Sequence, residues 1–236
     1  MNDIGIAILN YNSNILHCSQ TLPQNIDIYG IQCNNLFIKN KPKFKAYYQF
    51  NKEVPLSWSR NQALRMMLND NKKYMFIITS DVKVIDPDIF KRYIETSQVS
   101  GIKNITGPTN QNNVINTIDY TETVSVSFTN NANPNFIFIH NDIVKYVGYF
   151  DEQFDSTFSD YDMIHRLNLK NKSTPLGWIP TIVNNNFIEY IDSFPKPSPK
   201  NLALFKHKYN NIDPLNPIKV SEQSIISIME NLQNDK

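Results

Sequence analysis

The chain has 236 residues, 41% of them hydrophobic, so it is long and apolar enough for one domain with a sizeable core. Its 23 basic and 22 acidic residues leave a net charge of +1, which argues against duplex nucleic acid or an anionic membrane as a partner. The two cysteines, Cys18 and Cys33, are too few for a disulfide scaffold and lack the spacing of a zinc site. We therefore expect two reduced thiols.

The composition also bears on location. The apolar run from Ile4 to Leu9 is too short for a signal peptide and ends at Asn10. Since no apolar run approaches the length of a membrane span, we expect no transmembrane segment. Abundant Asn, Lys and Ile with only 6 glycines are typical of an AT-rich genome, such as that of a virus or phage. We expect a cytoplasmic protein, acting in the host cytoplasm if its origin is viral.

Two apolar runs near the N-terminus predict the first strands of a sheet. One covers Asp3 to Leu9 and the other Asn25 to Gln32, with a helix capped by Ser13 or Asn14 between them. Strand, helix and strand at this spacing form a βαβ unit, which implies parallel strands and a right-handed crossover.

The stretch from Tyr74 to Ile78 is the centre of the predicted fold. It is too short for a helix and is typical of a strand buried on both faces. Asp81 follows it at the C-terminal edge, where open α/β sheets bind ligands. Asp86-Pro87 then predicts the start of a helix. On this stretch alone, a turn or capping role for Asp81 is favoured over a functional one.

The rest of the chain alternates between short strand patterns and helix patterns. Strands are predicted at Phe44–Phe50, Ile102–Ile105, Thr121–Phe128, Phe136–His140 and Pro175–Ile182, and helices from Ser57 or Ser59 to Leu68, after Ile89, from Asp142, over Ser159–Lys170 and from Ser221. The fold class is α/β, one Rossmann-like domain with a mostly parallel central sheet flanked by helices. We place this domain at 1–210 and a C-terminal helical extension at 211–236, whose apolar face suits a homodimer contact.

Asn10-Tyr11-Asn12 follows the first predicted strand and is the first candidate binding feature. The Tyr11 ring could stack on a base, and the two amides could bind a ribose or a base edge. An ordinary Asn-rich turn explains the same residues and is the better interpretation of this motif alone.

Arg60-Asn61, at the start of a predicted helix, is the second candidate. A guanidinium beside a helix N-terminus is a good diphosphate site. A surface arginine is an equally good interpretation in isolation.

The segment around Asp160 is the most specific candidate. Asp160 and Asp162 are two residues apart, so a helix turns them to different faces. Asp162 can pair with Arg166 four residues on, which leaves Asp160 in the first turn to act as a base. The alternative is that both acids only complement the helix dipole.

Together these pieces resemble the GT-A glycosyltransferases, in particular the family-2-like inverting group. The resemblance extends from about Ile4 to Tyr209 and rests on Ile6–Asn12, Ser59–Leu64, the DxD-like Ile77–Asp81, the turn Gly148–Glu152, Ser159–Asp162 with Arg166, and, more loosely, Lys208-Tyr209. The chain departs from the family pattern at four places, one of them the end of strand two, where the usual Asp is replaced near Cys33-Asn34-Asn35. Thr79 replaces the first acid of the DxD-like motif, Ser159 replaces the acid before the base, and Asn184–Asn186 stands where a metal-binding histidine is common.

The resemblance implies a donor site in the half 1–109 and an acceptor site in the half 110–210. It implies that a nucleotide-diphosphate sugar is bound by a set of strand-end residues: Asn10, Tyr11, Asn12, Asn34, Arg60, Ser80 and Asp81. Asp81 would also hold Mn²⁺ or Mg²⁺ against the diphosphate. Asp160 would remove a proton from the acceptor, a glycan or other hydroxyl, as the sugar is transferred with inversion.

Two other classes remain open. A non-catalytic nucleotide-sugar or glycan binding module is favoured by Thr79 and by the missing histidine. A sugar nucleotidyltransferase has the same architecture, but it usually carries a Gly-rich phosphate loop near the N-terminus, where this chain has only Gly5.

Overall fold

A computed structural model describes residues 3–11, 14–36, 38, 41–130, 133–155, 157–171, 178–184, 186–191, 198–215 and 227. The strands are β1 (Ile4–Asn10), β2 (Asp27–Gln32), β3 (Ala46–Gln49), β4 (Tyr74–Thr79), β5 (Val82–Val84), β6 (Asn104–Thr106), β7 (Asn116–Asp119), β8 (Ser125–Thr129), β9 (Phe136–His140), β10 (Ile179–Thr181) and β11 (Ile188–Tyr190). The helices are α1 (Ile15–Gln20), α2 (Leu56–Asn69), α3 (Asp88–Ser100), α4 (Asn141–Val147), α5 (Ser159–Asn171) and α6 (Pro199–Lys208), with a short 3-10 helix at Gln111–Asn113.

The central sheet has the order β3-β2-β1-β4-β9-β6. Strands β3, β2, β1 and β4 are parallel, whereas β9 runs antiparallel to both of its neighbours. The predicted unit of strand, helix and strand at the N-terminus is present as β1, α1 and β2. The mostly parallel α/β sheet predicted from the sequence is therefore confirmed.

Alternate residues of the central strands pack on opposite faces of the sheet. Ile6, Ile8 and Phe76 lie in a core with residues of α1 and α3, whereas Ala7 and Ile77 lie in a second core with residues of α2 and α4. Every residue of β4 is buried, because helices cover both faces of this strand.

Two small sheets lie beside the main one. In the first, β8 lies between β7 and β10, and in the second β11 pairs antiparallel with β5. The alternation predicted a strand over Thr121–Phe128, but β8 begins only at Ser125. The reason is a turn in which the amide of Thr121 donates to the carbonyl of Val124.

A third, smaller core joins α5 and α6. Its buried members include Phe154, Phe158, Ile164 and Phe205. The helix predicted from Ser221, with the homodimer contact assigned to it, lies outside the described residues except for residue 227. Among the residues that are described, no helix is long and apolar enough to cross a membrane.

Candidate functional site

A chain of amide side chains links the ends of β1 and β2. Asn10 and Gln32 are paired in register, and Nδ2 of Asn10 donates to Oε1 of Gln32 over 2.7 Å. Nε2 of Gln32 donates to Oδ1 of Asn34 over 2.5 Å, and Nδ2 of Asn34 donates to the carbonyl of Tyr11 over 2.9 Å. The structure thus brings Asn10, Tyr11 and Asn34 together, as predicted for strand ends at one edge. We did not predict Gln32 as part of this site, although its position at the end of β2 could have indicated it.

Tyr11 is tied to α2 at the same edge. Its hydroxyl shares a hydrogen bond of 2.7 Å with the Ser59 hydroxyl. Burial raises the pKa of the Tyr11 phenol, so this side chain stays neutral. Asn12, the third residue of the predicted motif, lies outside the described residues.

Ser80 and Asp81 form the turn between β4 and β5. The amide of Ser80 donates to the carbonyl of Leu9 over 2.9 Å, which fixes this turn against the end of β1. Asp81 is partly exposed, and its backbone carbonyl accepts from the amide of Ile191 over 2.9 Å. Its carboxylate lies near α1, where burial, aided by the Asp81 charge, raises the pKa of the Cys18 thiol to about 12.

Asn184 belongs to the segment that stands where the resemblance leads one to expect a metal-binding histidine. The side chain of Asn184 instead holds a turn, since its Oδ1 accepts from the amide of Phe187 and its Nδ2 donates to the carbonyl of Ile188. The segment that reaches Asp81 follows β11, at Ile191. Residues 192–197, which come next, are not described.

Arg60 lies deeper in α2 than its sequence pattern predicted. The helix begins at Leu56, with Pro55 as N-cap, so Arg60 is past the first turn rather than at the N-terminus. Its side chain is 0% exposed. Nη1 donates to Oδ1 of Asp160 over 2.5 Å and to the Ser159 hydroxyl over 2.8 Å, and Nη2 donates to the carbonyl of Pro134 over 2.6 Å. A diphosphate role for Arg60 stays a prediction, and here its guanidinium binds protein groups.

Asp160 occupies the first turn of α5 and is only 3% exposed. Burial raises the pKa of its carboxyl, and the Arg60 guanidinium opposes that rise. A carboxyl whose pKa is displaced toward neutral pH by burial is the kind of group that can serve as a general base. The same buried ion pair is also consistent with a purely structural role.

Asp162 faces another set of partners, as the two-residue spacing predicted. Nε of Arg166 donates to its Oδ2 over 2.8 Å, which is the predicted pair. Its Oδ1 accepts from Nζ of Lys208 and from the Tyr209 hydroxyl, each over 2.6 Å. Lys208 also contacts Oδ2 of Asp151 over 2.6 Å. Asp162 therefore joins α5, the end of α6 and the turn that follows Gly148.

Asn61 holds the turn that the resemblance singled out. Its Oδ1 accepts from the amide of Phe150 over 2.9 Å, and its Nδ2 donates to the carbonyl of Phe150 over 3.0 Å and to Oε1 of Glu152 over 2.9 Å. Arg60 and Asn61 are neighbours on α2. Arg60 binds the start of α5, and Asn61 binds the turn at Phe150 that precedes it.

The donor set for a metal ion is small. Among the described residues, no group of three or more His, Cys, Asp or Glu side chains could hold a cation. Mg²⁺ commonly uses one or two carboxylates together with substrate phosphates, and a partly exposed Asp81 at a strand end fits that pattern. A metal here would depend on a bound diphosphate for most of its ligands.

Comparisons with known proteins define the fold. No family model and no curated protein match this sequence. The structure of S. aureus TarS 1-349 in complex with UDP-GlcNAc is similar with a TM-score of 0.56 and 12% identity, over 98% of this chain and 71% of that one. The mannosyltransferase PcManGT from Pyrobaculum calidifontis, in complex with GDP-Man and Mn²⁺, gives 0.55 and 7%, over 97% and 68%. At these identities the likeness shows a shared fold, the GT-A-like fold of glycosyltransferases.

Proposed function

We propose that this protein is a glycosyltransferase that moves a sugar from a nucleotide-diphosphate sugar to an acceptor hydroxyl with inversion. The observation that carries the proposal is the placement of Asp160. Arg60 binds this buried carboxyl and the carbonyl of Pro134, in the segment before β9. The next carbonyl of that segment, that of Asn135, accepts from the amide of Thr79 at the end of β4. A candidate base is thus connected to the edge where Asn10, Tyr11 and Asp81 would bind a donor.

The reaction follows from that arrangement. The acceptor oxygen forms a bond to the anomeric carbon while the bond from that carbon to the diphosphate oxygen breaks on the opposite face. The acceptor proton passes to Asp160, and the nucleoside diphosphate leaves with the bonding electron pair. A single displacement of this kind inverts the anomeric configuration.

The strand-end residues would bind the donor. The Tyr11 ring and the amides of Asn10 and Asn34 would contact the nucleoside, with Asn12 as a further candidate. Ser80 and Asp81 would lie at the diphosphate, where bound Mn²⁺ or Mg²⁺ would stabilise the charge on the leaving group. The acceptor, a glycan or another hydroxyl compound, would bind over the half 110–210. Two similar structures hold UDP-GlcNAc and GDP-Man with Mn²⁺, which supports a nucleotide-sugar donor.

A second candidate function is a nucleotide-sugar or glycan binding module without catalysis. The low exposure of Asp160, at 3%, favours it, because a base must reach the acceptor hydroxyl. Binding alone would be retained in such a module, so the two functions differ in turnover rather than in affinity.

The test combines donor binding with nucleotide release. Nucleoside diphosphates and nucleotide sugars are screened by thermal shift with and without Mn²⁺, and a ligand at a hundred times its dissociation constant should stabilise the protein by about 2.7 kcal/mol. Release of nucleoside diphosphate from the donor that binds is then followed with a panel of acceptors. Release supports transfer, whereas binding without release with every acceptor favours the binding module.

Asp81→Ala tests the metal-assisted part of the proposal. If Asp81 is a metal ligand, the variant should lose the increase in donor affinity that Mn²⁺ gives to wild type. The loss should be at least about 10–100-fold, because removing even an outer-shell partner of a metal costs that much in affinity. Asp119→Ala, which removes an exposed carboxylate at the end of β7, is the matched control and should keep the gain. Equal metal dependence in wild type and Asp81→Ala would leave Asp81 as a turn residue only.

A further inference from the structure

The N-terminal half of α2 buries a row of polar side chains, each bound to a segment distant in sequence. Ser57 donates to the carbonyl of Phe154, Ser59 bonds to Tyr11, Arg60 to Asp160 and Asn61 to Phe150, at 2.5–3.0 Å. Buried polar groups that bind distant segments favour one arrangement of the elements that they join. Of the Arg60 guanidinium, Nη1 and Nη2 are bonded, whereas Nε has no hydrogen-bond partner among the described residues. This half of the helix therefore connects the end of β1 with the segment that precedes and begins α5.

Arg60 has the widest reach in this row. Nη1 binds Asp160 and Ser159 at the start of α5, and Nη2 binds the carbonyl of Pro134. The next carbonyl, that of Asn135, accepts from the amide of Thr79 at the end of β4 over 2.9 Å. One side chain thus connects the start of α5 with the strand end beside Ser80 and Asp81.

We propose that Arg60 is a positioning residue that fixes the Asp160 carboxyl relative to the donor edge, rather than a ligand of the donor diphosphate. The proposal rests on the proposed function, since it takes Asp160 as the base. Its geometric ground is that the guanidinium is 0% exposed and that both Nη atoms bind protein oxygens. Because the side chain is wholly buried, a diphosphate could reach Arg60 only if the segments packed around it moved.

The chemistry of a guanidinium suits this task. Its planar fork has fixed donor directions, so contacts to Asp160, Ser159 and Pro134 fix both the distance and the angle of the carboxyl. Arg60 binds Oδ1, and Oδ2 is the oxygen that would accept the acceptor proton. The positive charge also opposes the rise that burial causes in the pKa of Asp160, and so favours the ionised carboxylate that a base requires.

The first experiment uses Arg60→Lys, which keeps the charge but removes the fork. Turnover should fall about 10–100-fold, because a shift of about 1 Å in a catalytic group costs on that order. Affinity for the nucleoside diphosphate should change little. Arg65→Lys, on an exposed side chain of the same helix that lies 3.8 Å from Glu152, is the matched control and should leave both quantities unchanged. Weaker binding of the nucleoside diphosphate, with binding of the bare nucleoside intact, would instead show a phosphate ligand and overturn the proposal.

The second experiment does not depend on turnover. The carboxyl carbon of Asp160 is titrated by NMR in wild type and in Arg60→Gln, where loss of the opposing charge should raise its pKa. If Arg60→Gln does not fold, Ser159→Ala keeps every charge, removes one bond to the guanidinium, and should lower turnover by a smaller factor than Arg60→Lys. Failure of the wild type to transfer any sugar would overturn the proposed function alone. An unchanged Asp160 titration in Arg60→Gln would overturn the positioning role, and so, where that variant does not fold, would unchanged turnover in both Arg60→Lys and Ser159→Ala.

Discussion

Two carboxylates in the first turn of α5 lie in contrasting surroundings. Asp160 is bound by Arg60, whose side chain is wholly buried, through one oxygen. Asp162 is bound through both oxygens, by Arg166, Lys208 and Tyr209. The side chains of Arg166 and Lys208 are 21% and 32% exposed, so these two cations keep part of their hydration.

The difference separates two roles for the same residue type. The partners of Asp162 come from α5 and from the end of α6, so its bonds join helices at the surface of the third core. Asp160 is joined to α2 and to the donor edge, and burial raises its pKa. We therefore expect loss of the Asp160 charge to affect chemistry and loss of the Asp162 charge to affect folding.

The largest expected effect is that of Asp160→Asn. This substitution keeps the shape of the side chain but removes the proton acceptor, so transfer should fall by about 10²–10⁴-fold while donor affinity stays nearly intact. The measurements are nucleotide release for the rate and calorimetry for the affinity.

One result would exchange the roles that we assign to Asp160 and Asp162. If Asp162→Asn, with unchanged stability and donor affinity, abolished turnover while Asp160→Asn did not, the base would be Asp162. Wild-type turnover must be established first, since a protein that binds a donor but transfers nothing has no rate to lose.

Asp162→Asn should have the next largest effect, on stability. Asparagine cannot neutralise Arg166 and Lys208, and it turns strong charge-assisted bonds into weaker ones. Because both cations are partly hydrated, we expect a loss of about 2–3 kcal/mol in the free energy of unfolding. Urea denaturation measures this loss.

The control for this variant is Glu189→Gln. Its carboxylate pairs with Lys83 over 2.9 Å, and the two side chains are 60% and 37% exposed. An exposed ion pair contributes little to stability, so this variant should unfold close to wild type. Equal losses in the two variants would mean that Asp162 contributes no more than a surface ion pair.

Local patterns predicted the main elements of the fold. The strands β1, β2 and β4 could be recognised from local sequence alone. A strand that is buried on both faces needs a continuous run of apolar residues, and that run is visible in the sequence. The Asp162–Arg166 pair was likewise predictable, since four residues along a helix bring two side chains together.

Contacts between distant segments were not predictable in the same way. The bond between Arg60 and Asp160 joins residues 100 positions apart, and neither residue type indicates the other. The predicted position of Arg60 at the N-terminus of α2 was wrong, because the helix begins after Pro55 and not at Ser57 or Ser59. Lys208 and Tyr209 were matched only by resemblance, and their contact with Asp162 depends on how α6 packs.

The smallest predicted effect concerns His165, which lies beside the Asp162 contacts. This ring is 5% exposed, lies 4.2 Å from the Tyr209 ring, and its Nδ1 has no hydrogen-bond partner within the described part of the chain. Burial lowers the pKa of His165; Asp162 opposes this shift and Lys208 adds to it. Below the unfolded pKa of about 6.5, the unfolded chain therefore binds a proton that the folded chain does not, and stability falls as the pH falls.

The slope from this one group can reach about 1.4 kcal/mol per pH unit between the unfolded and folded pKa values. His165→Leu removes the group, so its free energy of unfolding should fall less steeply below pH 6.5 than that of wild type. Burial also lowers the pKa of His140, but that residue is present in both proteins and cancels in the difference. Urea denaturation across this range gives the two slopes. Parallel slopes would show that His165 is protonated equally in the folded and unfolded chains.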